Sequence, residues 1–559
     1  MAKPKLALIP AAQGDKFYSV LPSDGVGDFD FTRNSSATRI APTGFIQEVG
    51  AFGSELVTNG NFNNDSDWSK ETGWTISGGK ASYNGSASNN AIYQTISVTS
   101  GKIYKLSFTV VNYVSGTLIG NISTGATAGG TGNITANGDY SFNITASGQL
   151  CIFRSTSSFN GSIDNISVVE VVGNKSRLNY DLLNGKVVNC PHYLLEPAST
   201  NLVTYSEDFS NAAWTKSNTT VNTDVSTSPN GGLNADKLIP NNSTDLSSIS
   251  NYALFYLSKA ASAIEYTYSV FVKENGLNEI LIIAQGNSVS NNASATFSLA
   301  DGIVKIAALS AGNFSGASTS IDNYGNGFYR LNLTFTTNTD TNLNIRNIPT
   351  DSTITTGNGV NGISIWGAQL EEGSYPTSYI PTNGTAITRA AETADGSGDA
   401  ATFNDSEGVL MAETSALDSE STNKMITISN GSSSTRILIR YVGTTLLAQL
   451  RISGANQYEF SYNPTNIKDN FKIALKYKAN DFSFFVNGFE LDSSNSGSTF
   501  SDGTLTELAF DDGGGANDFY GKTRELQYFD SVLTDSQLET LTSWTSLQEM
   551  ITSQLYTNY

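Results

Sequence analysis

Side chains that do covalent chemistry are scarce in this chain and poorly placed for it. The one histidine, His192, lies in "NCPHYLLEP" beside Cys190 and an apolar run. A nucleophile needs a base at hand, and a zinc site needs several N or S donors. With only Cys151 as a further candidate, neither can be built, so His192 reads as a structural residue. Glycoside hydrolysis needs two carboxyls roughly 5–10 Å apart across a cleft. Glu371 and Glu372 are chain neighbours at a strand end, where successive side chains point to opposite faces. "GGTGN" lacks the Lys-Ser/Thr and the helix of a phosphate loop. What remains is non-covalent: "DDGGGAND" offers Asp511, Asp512 and Asp518 as oxygen donors for calcium, or is equally a solvated turn. This census is that of a protein that is not an enzyme.

The elements that hold such groups are strands. "YKLSFTVV" sets Tyr104, Leu106, Phe108 and Val110 on one face against Lys105, Ser107 and Thr109, and "FKIALKYK" (471–478) alternates in the same way. Such patterns mark half-buried antiparallel strands, punctuated by turn clusters such as "TGATAGGTGN". Helical signal is confined to the end, where Asp535 is the expected cap of a helix carrying Leu538, Leu541, Trp544 and Leu547. The fold class expected is all-β, with tandem β-sandwiches and a short C-terminal helix. The 559 residues suit three or four domains, and 25 Tyr, 28 Phe and 5 Trp supply their cores.

A net charge of −20 opposes nucleic acid and anionic membrane surfaces, because both are bound by neutralising phosphates. No apolar run reaches membrane-spanning length, and "LALIPAA" is too short and Pro-broken for an export signal. A soluble protein made in the bacterial cytoplasm is expected, with Cys151 and Cys190 as two thiols or one bridge.

An internal echo organises the chain. "ELVTNGNFNNDSDW" (55–68) returns as "NLVTYSEDFSNAAW" (201–214), and "SIDNISVVEV" (162–171) as "NGISIWGAQLEE" (361–372). These phrases resemble jelly-roll carbohydrate-binding modules of galactose-binding-like fold, which implies two jelly rolls at 51–172 and 201–390. Sugar binding by aromatic faces would use Trp68, Trp74, Tyr83 and Tyr93 with Arg154 in the first. Against this, Trp68 and Trp214 hold equivalent places, which argues for shared core packing. The resemblance also implies a structural calcium at Asn59, Asn61 and Asp164; no other cofactor is expected.

"TRNSSATR" (32–39) and "RLNYDLLNGKVVNCPHYLLEPASTNL" (177–202) resemble two halves of one phrase from structural proteins of bacteriophages, notably the crAss-like phages of Bacteroidetes. On this reading the first jelly roll is inserted between an N-terminal docking segment (1–50) and its return (173–200). Residues 391–546, with "VNG" and "GKTRELQYFD", resemble the concanavalin A-like/laminin-G lectin sandwich, and 547–559 form a tail. There Asp511, Asp512, Asn517 and Asp518 fit a rim loop for ligand or calcium. The resemblances imply a virion fibre or appendage protein, homotrimeric, with capsid or tail proteins as partners and host-surface glycans as ligands. The alternative is a head-fibre, decoration or adaptor protein without a glycan. The C-terminal sandwich, placed farthest from the docking segment, is the unit expected to meet the host.

Overall fold

In a computed structural model of the chain, residues 3–12, 14–126, 130–172, 175–188 and 190–544 are described here. Apart from the helix Asp535–Thr542, the regular elements longer than a turn are strands, packed as three sandwiches in series.

The two jelly rolls share one strand order. In the first, Gly138–Thr145, Ile103–Ser115, Asn160–Val172, Ala81–Asn84 and Trp74–Ile76 form one sheet; Leu118–Ser123, Leu150–Ser155, Ala91–Thr95 and Ser69–Lys70 form the other. In the second, Phe328–Thr336, Glu265–Asn275, Gly362–Glu372, Leu233–Pro240 and Thr219–Thr227 follow the same order. They face Glu279–Gln285, Asn342–Thr350, Tyr252–Ser258 and Trp214–Ser217. Where the first copy has the loop after Ser123, the second inserts three strands, Asn292–Ser298, Ile303–Ala311 and Ser315–Asn323.

The echo has a structural cause. Trp68 Nε1 donates to the Asn59 carbonyl (3.1 Å) and Trp214 Nε1 to the Tyr205 carbonyl (2.8 Å). The Phe62–Trp68 and Phe209–Trp214 ring centroids lie 5.2 and 4.6 Å apart. Each last strand carries a left-handed residue where its ladder shifts register, Asn165 (φ 53°) and Gly367 (φ 64°). Just beyond it, the Ile166 and Ala368 amides bond the opening loop at Gly60 and Ser206.

The first jelly roll has a core of its own, running from Val57 and Phe62 to Ile166 and Val168. Its two ends leave side by side, with Ala51 paired to Val172 and Phe52 to Val171. Outside residues 51–172, one Arg33 nitrogen, Nη2, donates to the carbonyls of both Val49 (3.1 Å) and Lys175 (2.7 Å), so a single guanidinium holds the two flanks together. Residues 51–172 expressed alone are expected to melt cooperatively, and the chain rejoined across the gap is expected to fold, both read by scanning calorimetry. A molten fragment would refute the insertion.

The segments 1–50 and 173–200 do not form a base apart from the third sandwich, as the sequence suggested. Leu6–Leu8 and His192–Leu195 lie end to end on the same strand, Gly521–Phe529, and both extend the third sandwich's larger sheet. Leu6, Leu8, Phe17, Phe29, Phe31, Tyr193 and Leu195 share one core with Leu410, Ile473 and Tyr528. Phe17 stacks on Tyr193 at 3.9 Å. The C-terminal sandwich is therefore the unit built together with the split phrase, not the one most distant from it.

The two halves meet at a buried ion cluster. Glu392 accepts from Arg33 Nη1 (2.6 Å), Arg177 Nε (2.8 Å) and the Glu196 amide (2.9 Å). Glu196 pairs with Arg177 (2.7 Å) and Arg389 (3.0 Å). All five side chains are closed to solvent. Burial opposes ionisation of Glu196, but Arg389 and Arg177 outweigh it and hold the carboxyl well below its usual range.

The helix cap is Thr534, one residue before the expected Asp535, in a reciprocal box with Gln537. Leu538 is buried against Val409, Phe485 and Phe529, so the start of the apolar stripe packs within the chain. Leu547, Ile551 and Leu555 lie outside the described residues.

Candidate functional site

The aromatic residues singled out in the first jelly roll divide into two groups. Trp68, Trp74 and Tyr83 are 6%, 5% and 2% exposed and belong to the core, so their rings offer no face to a pyranose. The same alternation sends Tyr93 and Arg154 outward. Tyr93 pairs with Ile152 and Ser69, and Arg154 with Ala91, all on the outer face of the smaller sheet. Both are half-buried, and Arg154 Nη1 bonds the Asn89 carbonyl. The Asn121 and Ser123 side chains both donate to the Ala126 carbonyl (2.8 and 2.9 Å), drawing a loop over the far side of this face.

The corresponding face of the second jelly roll is more open. Tyr252, Leu254 and Tyr256 point away from Ala253 and Phe255, which enter the core. Tyr256 is 51% exposed, and its hydroxyl donates to Asn342 Oδ1 (2.7 Å). Across the ladder Tyr256 stands opposite Asn344, and Leu254 opposite Arg346. The Arg346 guanidinium lies 4.9 Å from the Tyr252 ring centroid, and its buried Nε has no hydrogen-bond partner. An exposed ring, a stacked guanidinium and amides from Asn342, Asn344 and Gln285 thus line one surface. A ring takes the C–H face of a sugar, and the amides take its hydroxyls. Tyr252, Tyr256 and Arg346 were not singled out from the sequence.

The metal candidates are engaged in holding turns. Asn59 Nδ2 donates to the carbonyls of Asn64 (2.7 Å) and Ser66 (3.0 Å), and Asn61 Oδ1 accepts from the Asn63 amide (3.4 Å). Asp164 Oδ1 accepts from the Asn165 amide (2.7 Å), which fixes the left-handed residue of the last strand. In the C-terminal loop Asp511 accepts from Gly513, and Asp512 from Gly514 (2.8 Å), Ala516 and Asn517 (3.0 Å); Asp518 accepts from Tyr520 (3.1 Å). Burial raises Asp511 to about 6. Among the described residues no three His, Cys, Asp or Glu side chains gather as metal donors. The second jelly roll contains a cation of its own: Lys259 Nζ donates to the carbonyls of Ala260, Ser262, Asn338 and Asp340 at 2.6–3.1 Å.

A cleft of ≈ 690 Å³ separates the jelly rolls, lined by Tyr140, Phe142, Tyr205, Glu207, Trp366 and Tyr379. Glu207 accepts from Tyr379 (3.0 Å) and Asn234 (3.0 Å), and burial raises it to about 7. Cys151 is buried and Cys190 exposed, both as free thiols, and burial pushes the Cys151 thiol upward. His192 is buried, and desolvation lowers it to about 3 despite Asp181 at 3.4 Å. No helix among the described residues is long and apolar enough to cross a membrane.

No protein-family model matches the sequence, and a search of curated proteins returns no match. Among solved structures, the CBM40 of Ruminococcus gnavus IT-sialidase bound to α2,3-sialyllactose is 15% identical. That match covers 25% of this chain and 84% of that one, with a TM-score of 0.23. The tandem CBM22-1–CBM22-2 of Paenibacillus barcinonensis Xyn10C is 11% identical over 58% of this chain and 100% of that one, with a TM-score of 0.20.

Proposed function

We propose that the chain is an attachment subunit of a bacteriophage particle, holding host-surface glycans through outward sheet faces of its sandwiches. The observation that carries glycan binding is the outer face of the second jelly roll, where Tyr256 stands exposed beside the Tyr252–Arg346 stack. The first jelly roll supports it with Tyr93 and Arg154 on its corresponding face. The virion role is supported by the phage-type phrase, whose halves converge on Glu392 despite the insertion between them. In this reading the split-phrase scaffold contacts capsid or tail proteins. A homotrimer multiplies contacts that are individually weak, of the order of millimolar or about −4 kcal/mol each.

The test is a glycan array probed with the full chain displayed multivalently. Tyr256→Ala and Arg346→Gln are each expected to weaken retention about tenfold, since each removes roughly 1–2 kcal/mol of stacking or charge-assisted contact. Calorimetry on the same variants should show an unchanged melting profile. If the wild-type multimer retains no glycan while intact particles still adsorb to cells, the chain is a structural decoration protein and the glycan reading falls.

A further inference from the structure

The smaller sheet of the third sandwich runs Ala455–Tyr462, Thr445–Ile452, Arg436–Val442, Lys424–Ser429 and Glu507–Ala509. Its inner face gives Ile426, Ile428, Ile437, Ile439, Ala448 and Leu450 to the core. Alternation therefore places a different set on the outer face. One cross-strand row reads Thr427, Leu438, Gln449, Glu459. Arg436 and Arg451 stand directly opposite each other on one side of it, and Arg440 lies on the other, between Met425 and Leu447.

Three features of this face are unusual. Like charges directly opposed across a ladder are destabilising, yet none of these arginines forms an ion pair with a described residue. Arg436 Nη1 donates to the Asp512 carbonyl (2.6 Å) and Arg451 Nε to Asn456 Oδ1 (3.1 Å), while Arg440 donates no hydrogen bond. Second, the face contains four buried polar atoms without partners: Arg436 Nε, Arg440 Nε, Gln449 Oε1 and Thr427 Oγ1. A buried polar group left without a partner is destabilising unless something satisfies it. Third, the chain carries a net charge of −20 and could have furnished carboxylates for these cations. The one carboxylate in the row, Glu459, is already shared between Gln449 Nε2 and Asn456 Nδ2, and Asp511 and Asp512 approach only the Arg436 side.

We propose that this face binds an acidic saccharide. Guanidinium groups match the planar, two-pronged geometry of carboxylate and sulfate. Thr427, Gln449 and Arg436 lie closed beneath this face, 0%, 4% and 5% exposed, so Arg440 and Arg451 are the guanidinium groups that reach its surface. Arg440 and Arg451, on neighbouring strands and offset by four residues, lie about 13 Å apart along the ladder, a spacing suited to successive charges of a polymer. The choice of a sugar acid or sugar sulfate over a phosphate chain rests on the glycan-attachment reading, and single-stranded DNA is the competing polyanion in the test. The site adds to the attachment reading and does not depend on the jelly-roll faces.

The experiment is affinity electrophoresis of the full chain through gels containing polygalacturonate, dextran sulfate, neutral dextran or single-stranded DNA. Retardation by polygalacturonate or dextran sulfate is expected, and which of them acts tells carboxylate from sulfate. Arg440→Gln with Arg451→Gln should weaken it about tenfold or more, and the corresponding Lys pair should restore part of it. Tyr256→Ala should leave it unchanged, so the two glycan sites fail separately. Should the double variant fold poorly, Arg440→Gln alone decides, because that side chain holds no other element. The proposal is overturned if neither acidic polysaccharide retards the wild type. It is also overturned if the Gln variants migrate like wild type, or if DNA binds as tightly as the polysaccharides.

Discussion

Replacing Glu392 by alanine is expected to destabilise the scaffold and third sandwich by about 3–5 kcal/mol, the usual consequence of removing one partner from a buried ion cluster. Arg33 and Arg177 would then face each other inside the protein with only Glu196 to neutralise them and Arg389. For a unit of this size that corresponds to a fall of roughly 10 °C in melting temperature. Glu392→Gln should recover little, because it keeps the shape and removes the charge. Scanning calorimetry gives a sharper signature than the size alone. The transition of residues 51–172 should stay where it is, since that core is separate from the cluster. A melting profile that moves by less than a degree or two would show that the cluster does not join the halves.

The stability of the second jelly roll is expected to rise as pH falls from 8 to about 5. Burial raises Glu207 and Asp236 to about 7, so both bind protons in the folded state well above the pH at which the unfolded chain does. Their contribution is full below the unfolded value near 4 and is lost as pH rises through 7. Asp511, raised to about 6 in the third sandwich, acts in the same direction there. In that sandwich His192 opposes Asp511: lowered to about 3, it stays neutral when folded, and its contribution fades below 6.5. Asp181 and Glu196, both held low, begin to act only below about 4. For the two carboxyls of the second jelly roll, the gain between pH 7 and 5 is on the order of 4 kcal/mol. Melting temperatures at pH 5, 6, 7 and 8 test this, and Glu207→Gln should flatten the slope. A melting temperature that falls steadily on acidification would contradict it.

The strand architecture was legible because it rests on local alternation, and the doubled jelly roll because Phe62–Trp68 and Phe209–Trp214 repeat a packing unit with its own carbonyl partner. The surface proposed to bind glycans was not legible for the same reason. In "NYALFYLS" both alternating sets are apolar, so the sequence does not say whether Tyr252, Leu254 and Tyr256 or Ala253, Phe255 and Leu257 face the core. Trp68, Trp74 and Tyr83 were attractive as ligand contacts, but large rings are also what a thin sandwich core requires. The joining of 1–50 to the third sandwich was hidden because Leu6–Leu8 and His192–Leu195 are too short to show periodicity. Their partner strand also lies more than three hundred residues away in sequence.

The arrangement around Arg33 also bears on how such a chain can diversify. Two flanks held by one guanidinium, with the guest leaving through neighbouring rungs of a single ladder, make a socket for interchangeable cassettes. Recombination at that socket can replace one folded unit with another while every contact around Glu392 stays intact. A lineage carrying this scaffold can thus change one of its sandwiches by exchange of whole parts, without waiting for point mutations to remodel a surface that also has to fold.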